Sequence, residues 1–228
     1  MITQFVMFLT IIILALTGLQ FLKRAKRTNL LSGKIFAYGL FFVALAILFY
    51  SVRDVFIQFG LYEIQEKLLV IGGLVHLVGA YFILYFIVKE FGPKSYFKHA
   101  FNVLFGFVLF GFGLFLSGMV FKLGSEIGQA PLEPLPYLVV RNYVSDPAGV
   151  FVLYGLVALI SLLVLGIIGF SSYRVKEKSM RIKGLLYGLG TWFLIAPIII
   201  CAVLSPIFAR IGYLIGAFLI YEAFKKKK

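Results

Sequence analysis

The feature that most constrains this chain is a series of apolar runs, each about as long as a bilayer is thick, separated by short clusters of lysine and arginine. A helix needs roughly 20 mostly apolar residues to cross the hydrocarbon core. In that medium only a helix or a closed barrel satisfies every peptide group internally. The runs predict seven helical spans, over about 2–22, 35–59, 67–89, 100–123, 148–172, 184–204 and 206–224. Seven spans and their loops fill the 228 residues as a single transmembrane domain and leave no room for a soluble catalytic or signalling unit. Only 14% of residues are charged, against about 25% for soluble chains.

The charges also predict orientation. Lys23, Arg24, Lys26, Arg27 and Lys34 follow the first span, Lys89, Lys94 and Lys98 the third, and Arg174, Lys176, Lys178, Arg181 and Lys183 the fifth. With Lys225 to Lys228 these make 17 of the 22 basic residues. Glu63, Glu66, Glu126, Glu133 and Asp146 collect on the other side. By the positive-inside rule the N-terminus lies outside and the C-terminus in the cytoplasm, as expected of a multi-pass protein of the cell membrane. The net charge of +13 is therefore read as topology and lipid contact, not as nucleic-acid binding. The first run has no basic segment before it and no small-residue cleavage site after it, so it is expected to be a retained helix. Ser205-Pro206 gives a helix-starting turn between the last two spans; a re-entrant pair would leave the tail outside, against the charge rule.

The loop 124–147 is the one long external segment. Pro131, Pro134 and Pro136 exclude a regular helix there, and the apolar stretch Tyr137 to Val144 predicts a short strand or an interfacial segment over the outer mouth, as a packed cap or a lid. Glycines mark helix contacts: Gly106, Gly111, Gly113 and Gly118 in the fourth span, Gly72, Gly73 and Gly79 with Ala80 in the third, and Gly184-x-x-x-Gly188 and Gly212-x-x-x-Gly216 in the last two.

Ionisable groups within spans are costly and so point to sites. Tyr50, Asp54 and Gln58 follow at i, i+4 and i+8 on one helical face, with Ser51 and Arg53 beside them. Arg210 and Tyr213 lie near the outer end of the seventh span, and His76 near the middle of the third. Structurally, Arg210 would pair with Asp54 while Arg53 reaches outward, and His76 would bond a tyrosine or a backbone carbonyl. Functionally, these groups with Tyr81 and Trp192 would line an outer cavity, and Pro197 would be its hinge. Within the inner leaflet or at the midplane the polar residues are few: Thr10, Thr17, Tyr187 and Thr191.

Nothing in the chain has the pattern of a nucleotide loop, a zinc protease or a nucleophile elbow. Cys201 is the only cysteine, and only His76 and His99 are histidines, so neither a metal site nor a haem pair is expected. Asp54 is the only buried carboxylate expected, which argues against an enzyme. In length, helix count and orientation the chain resembles the microbial rhodopsins. That resemblance would imply a retinal on a lysine in the middle of the last helix, but here 206–224 holds no lysine before Lys225, so no covalent retinal is expected. The leading expectation is a receptor- or sensor-like bundle that binds a small molecule or membrane partner in its outer half and docks a cytoplasmic partner through basic loops. The alternatives are a small transporter or channel with a path through Arg53, Asp54, His76 and Arg210, and an accessory subunit of a membrane complex.

Overall fold

The computed structural model describes residues 2–91, 99, 102, 103, 106, 123–129, 138–144, 165, 166, 176–195 and 206–225. The elements are α1 (Ile2–Thr28), α2 (Leu31–Gln58), α3 (Tyr62–Phe91), β1 (Leu123–Gln129), β2 (Leu138–Val144), α4 (Lys178–Ile195) and α5 (Pro206–Lys225). Among the described residues, three helices are long and apolar enough to cross a membrane, over Gln4–Thr28, Leu31–Gln58 and Glu63–Glu90.

α1 runs past the end of its expected span, α2 starts before its own and α3 exceeds its own at both ends, because hydropathy registers only the apolar part of a helix. Lys23 to Arg27 continue α1 for more than a turn beyond Leu22. Each of the first two helices ends on a Schellman turn. Asn29 takes the left-handed conformation (φ 49°) and the Leu30 N–H returns to the Ala25 carbonyl at 3.0 Å. Gly60 (φ 73°) does the same after α2: its own N–H reaches the Ile57 carbonyl and the Leu61 N–H the Phe56 carbonyl, both at 3.0 Å. These bonds satisfy carbonyls that a helix end otherwise leaves open. The turns are so short that α1, α2 and α3 must lie antiparallel.

Two sets of contacts fix the direction of the remaining helices. Near the basic end, the Phe21 ring of α1 meets Phe36 of α2 at 4.7 Å, Phe86 of α3 at 6.3 Å, Tyr187 of α4 at 6.0 Å and Phe224 of α5 at 4.6 Å between centroids. One aromatic cluster thus touches all five described helices. At the opposite end, the Ser51 hydroxyl of α2 donates to Gln4 Oε1 of α1 at 2.6 Å, and Arg210 of α5 pairs with Asp54 of α2. Consequently α1, α3 and α5 run one way, and α2 and α4 the other.

Burial is inverted relative to a water-soluble bundle. Phe5, Phe8, Ile12, Leu16 and Leu19 form an exposed apolar stripe along α1, and Phe208, Ile211, Ile215 and Phe218 form another along α5. Thr10, Thr17, Asp54, His76, Thr191 and Arg210 are buried instead. Lipid accepts such an apolar exterior, and polar groups then gain most by facing one another inside.

Close helix contact depends on glycine at two seams. A Cβ on Gly79 would stand 2.9 Å from the Val43 nitrogen and 3.0 Å from the Gly39 carbonyl oxygen, where α3 meets α2. A Cβ on Gly190 would stand 2.9 Å from the Gly216 carbonyl oxygen, where α4 meets α5. Gly79 and Gly216 belong to the glycine series read from the sequence, whereas their partners Gly39 and Gly190 do not.

Within the expected external loop, β1 and β2 form an antiparallel hairpin in which Glu126 stands opposite Arg141 and Ser125 opposite Asn142. The hairpin begins at Leu123, one residue inside the expected fourth span, and β2 lies against α2. Pro131, Pro134, Pro136, Cys201 and most of the fourth and fifth spans lie outside the described residues.

Candidate polar site in one half of the bundle

Asp54, His76 and Arg210, the buried acidic and basic residues among those described, gather at the end opposite the aromatic cluster, in two tiers about one helical turn apart. The upper tier joins α2 to α5. Arg210 Nη2 donates to Asp54 Oδ2, and Arg53 Nη2 lies 3.7 Å from Asp54 Oδ1. The side chains of Arg53, Asp54 and Arg210 retain 14%, 6% and 9% of their possible exposure. Arg53 therefore does not reach outward as expected, but stays beside its neighbour's carboxylate. Asp54 is thus approached by two cations, one from its own helix and one from α5.

The lower tier is centred on His76 of α3. Tyr50, four residues before Asp54, places its ring centroid 6.2 Å from the imidazole, and Tyr213, three residues after Arg210, places its own at 5.6 Å. Gly72, one turn before His76, makes room for the Tyr50 ring, since a Cβ there would lie 2.7 Å from Tyr50 Cε1. His76 Nε2 lies 2.9 Å from the Leu194 carbonyl oxygen of α4. A carbonyl can only accept, so Nε2 carries the proton and, in the neutral ring, Nδ1 is left as an acceptor. Four helices thus converge on one imidazole.

Among the described residues, His76 Nδ1 has no hydrogen-bond partner, and neither do Thr191 Oγ1, Trp192 Nε1 and Gln65 Oε1. Thr191 is the most informative of these. Thr10, Thr17 and Thr28 each donate to the carbonyl four residues earlier, at 2.7, 2.7 and 3.1 Å. Thr191 is completely buried yet makes no such bond. It lies three residues before Leu194, so one turn of α4 carries both the hydroxyl and the carbonyl that holds His76.

Not every expected residue joins this site. Tyr50, Arg53, Asp54, His76, Arg210 and Tyr213 come together. Gln58 is exposed at the last residue of α2, and Tyr81 packs on Phe82 at 5.8 Å between centroids. Trp192 packs on Phe193 at 5.1 Å and points away from Leu194, about 200° around the helix. Pro197 lies outside the described residues. Gln65, also buried, was not singled out in the sequence; its spacing of seven and eleven residues to Gly72 and His76 puts all three on one face of α3.

Of the four polar residues expected at the midplane or in the inner leaflet, Thr191 joins the His76 tier and the other three have local partners. Thr10 and Thr17 are bonded to their own helix, and Tyr187 belongs to the aromatic cluster. No group of three metal-ligating side chains occurs among the described residues. Comparison with protein-family models, with curated proteins and with solved structures gives no match, so the reading of the site rests on its own geometry.

Proposed function

We propose that this chain is a receptor- or sensor-like protein of the cell membrane, crossing it seven times with its N-terminus outside, and that it binds a small molecule or membrane partner in the outer half of the bundle. The observation that carries this reading is the division of the interior into two halves. Polar groups, several without protein partners, are gathered in the half of Asp54 and His76. The Phe21, Phe36, Phe86, Tyr187 and Phe224 rings fill the other half. A ligand-binding bundle needs polar contacts on one side only, whereas a transporter or channel needs them to continue through. The aromatic layer disfavours the transport alternative.

The direction of the helices supports the seven-span count. α3 ends and α4 begins at the same basic end, so the intervening chain makes an even number of crossings. Two apolar runs, 100–123 and 148–172, flank the hairpin there. The exposed Lys23, Arg24, Lys26, Arg27, Lys178 and Lys225 share that end, as the charge rule requires of the cytoplasmic face. These cations offer a docking surface for anionic headgroups or for a partner that carries a signal onward.

Two measurements test the proposal. Single cysteines replacing the exposed Leu61, Lys26 or Lys225, in a protein lacking Cys201, are challenged with an impermeant maleimide on intact cells. Labelling is expected at residue 61 alone, and labelling at residue 225 would refute the topology. Native mass spectrometry of the gently extracted protein should show a bound mass that Asp54→Asn removes. A bare polypeptide mass in the unmodified protein would count against ligand binding.

A further inference from the structure

The lower tier of the site has a specific chemical preference, and this inference rests on the reading that the polar half takes a ligand. We propose that His76 Nδ1 and the Thr191 hydroxyl form a binding point for a small, uncharged hydrogen-bond donor: water, or the hydroxyl or amide of an organic molecule.

Three observations lead to this class. First, the Leu194 carbonyl accepts from Nε2, so the imidazole presents Nδ1 as a lone pair, and only a donor can satisfy it. Second, Thr191 Oγ1 can both donate and accept. It is fully buried one turn from Leu194 and, unlike Thr10, Thr17 and Thr28, does not bond its own helix. A buried hydroxyl that declines the carbonyl four residues back forgoes an available bond, and leaving it unmade is costly away from water. A shared occupant restores a bond to both groups. Third, the surroundings select against charge. Asp54, one turn above, is already held by Arg210 and approached by Arg53, so it is not offered to a cationic ligand. An anion brings no proton to an imine lone pair and is repelled by it. The Tyr50 and Tyr213 rings that pack beside the imidazole make its surroundings largely apolar, which suits a neutral molecule.

The test reads the nitrogen directly. His99→Gln leaves His76 as the sole histidine, and the protein is prepared with ring-¹⁵N histidine in lipid nanodiscs. The Nδ1 and Nε2 signals are recorded alone and with 1-propanol, propionate or propylammonium. The expected spectrum shows the proton on Nε2 and an Nδ1 signal shifted by an accepted hydrogen bond. Correlation of Nδ1 with a water-exchangeable proton identifies water as the occupant. Replacement of that correlation by 1-propanol, with no response to either charged probe, extends the site to organic hydroxyls. Thr191→Val should move the Nδ1 signal while leaving Nε2 bonded.

A proton on Nδ1, an Nδ1 signal typical of an unbonded imine nitrogen in every sample, a response to propylammonium or propionate, or an Nδ1 signal indifferent to Thr191→Val would each overturn the proposal. If water occupies the site but native mass spectrometry finds no organic adduct, the ligand-binding function fails while this binding point stands.

Discussion

Removing the partner of a buried carboxylate should expose how much of this bundle is held by charge, and Arg210→Gln is the direct way to do so. Two unit charges about 4 Å apart attract by about 4 kcal/mol at the effective dielectric of a protein surface, before any cost of desolvation. Breaking a buried pair from one side typically loses about 3–5 kcal/mol, because the remaining charge stays buried. Here Asp54 keeps Arg53 at 3.7 Å, so Arg210→Gln should fall at the low end, about 3 kcal/mol. Asp54→Asn strands two guanidiniums with side-chain exposures of only 14% and 9%, so its loss should be the larger, about 4–5 kcal/mol. Combining the two substitutions removes both members of the main pair. The double variant should then be more stable than the sum of the single losses implies by about 2 kcal/mol or more. Asp54→Leu with Arg210→Leu should approach the unmodified protein, since apolar replacement of a buried pair is often neutral. Reversible unfolding by sodium dodecyl sulfate in mixed micelles, followed by far-ultraviolet circular dichroism, measures all four. Additive losses of Asp54→Asn and Arg210→Gln would refute the claim that this pair fastens α2 to α5.

The glycine seams and the aromatic cluster give further expectations. Gly79→Ala and Gly190→Ala place a methyl group against backbone atoms that cannot swing aside, and each should cost about 1–3 kcal/mol. Gly18→Ala meets only the edge of the Phe41 ring, with 2.9 Å to Cε1, and should cost less in the same unfolding measurements. Equal losses at the three positions would count against backbone-limited packing. Phe21→Ala empties the centre of a cluster whose members are 8% exposed or less, apart from the half-buried Phe224, and should lose about 3–5 kcal/mol. Hydrogen exchange should then accelerate in the last turns of both α1 and α5. Protection in α5 that did not change would mean that the Phe21–Phe224 contact does not tie the two together.

Much of the helical framework is legible in the amino-acid order, and the reasons for the remainder are local. The runs 2–22, 35–59 and 67–89 mark α1, α2 and α3 because hydrocarbon thickness imposes a length on apolar sequence. Their true ends are set by Asn29 and Gly60, whose left-handed conformations no hydropathy measure registers. The spacing of Tyr50 and Asp54 shows a shared face, but it extends too far: Gln58 has the right period and lies beyond the packed part of the helix. Tyr81 and Trp192 are polar-tipped aromatics, but Tyr81 lies more than a turn beyond His76 toward the basic end of α3, and Trp192 points away from Leu194 around α4. Depth can be counted along a chain, whereas azimuth depends on which neighbour a helix meets. Gly39 and Gly190 illustrate the same limit, since a seam needs a glycine on both helices and spacing within one helix cannot reveal the partner.

The attachment of His76 to α4 through a main-chain oxygen sets what mutation there can do. Every residue that could replace Leu194 brings the same carbonyl, so no substitution at that position removes the acceptor. Only a change at His76, or a displacement of α4 itself, can release the imidazole. The orientation of the ring therefore reports on the position of the α4 backbone and is insulated from its side-chain chemistry at 194, which makes it a built-in gauge of whether that helix has moved.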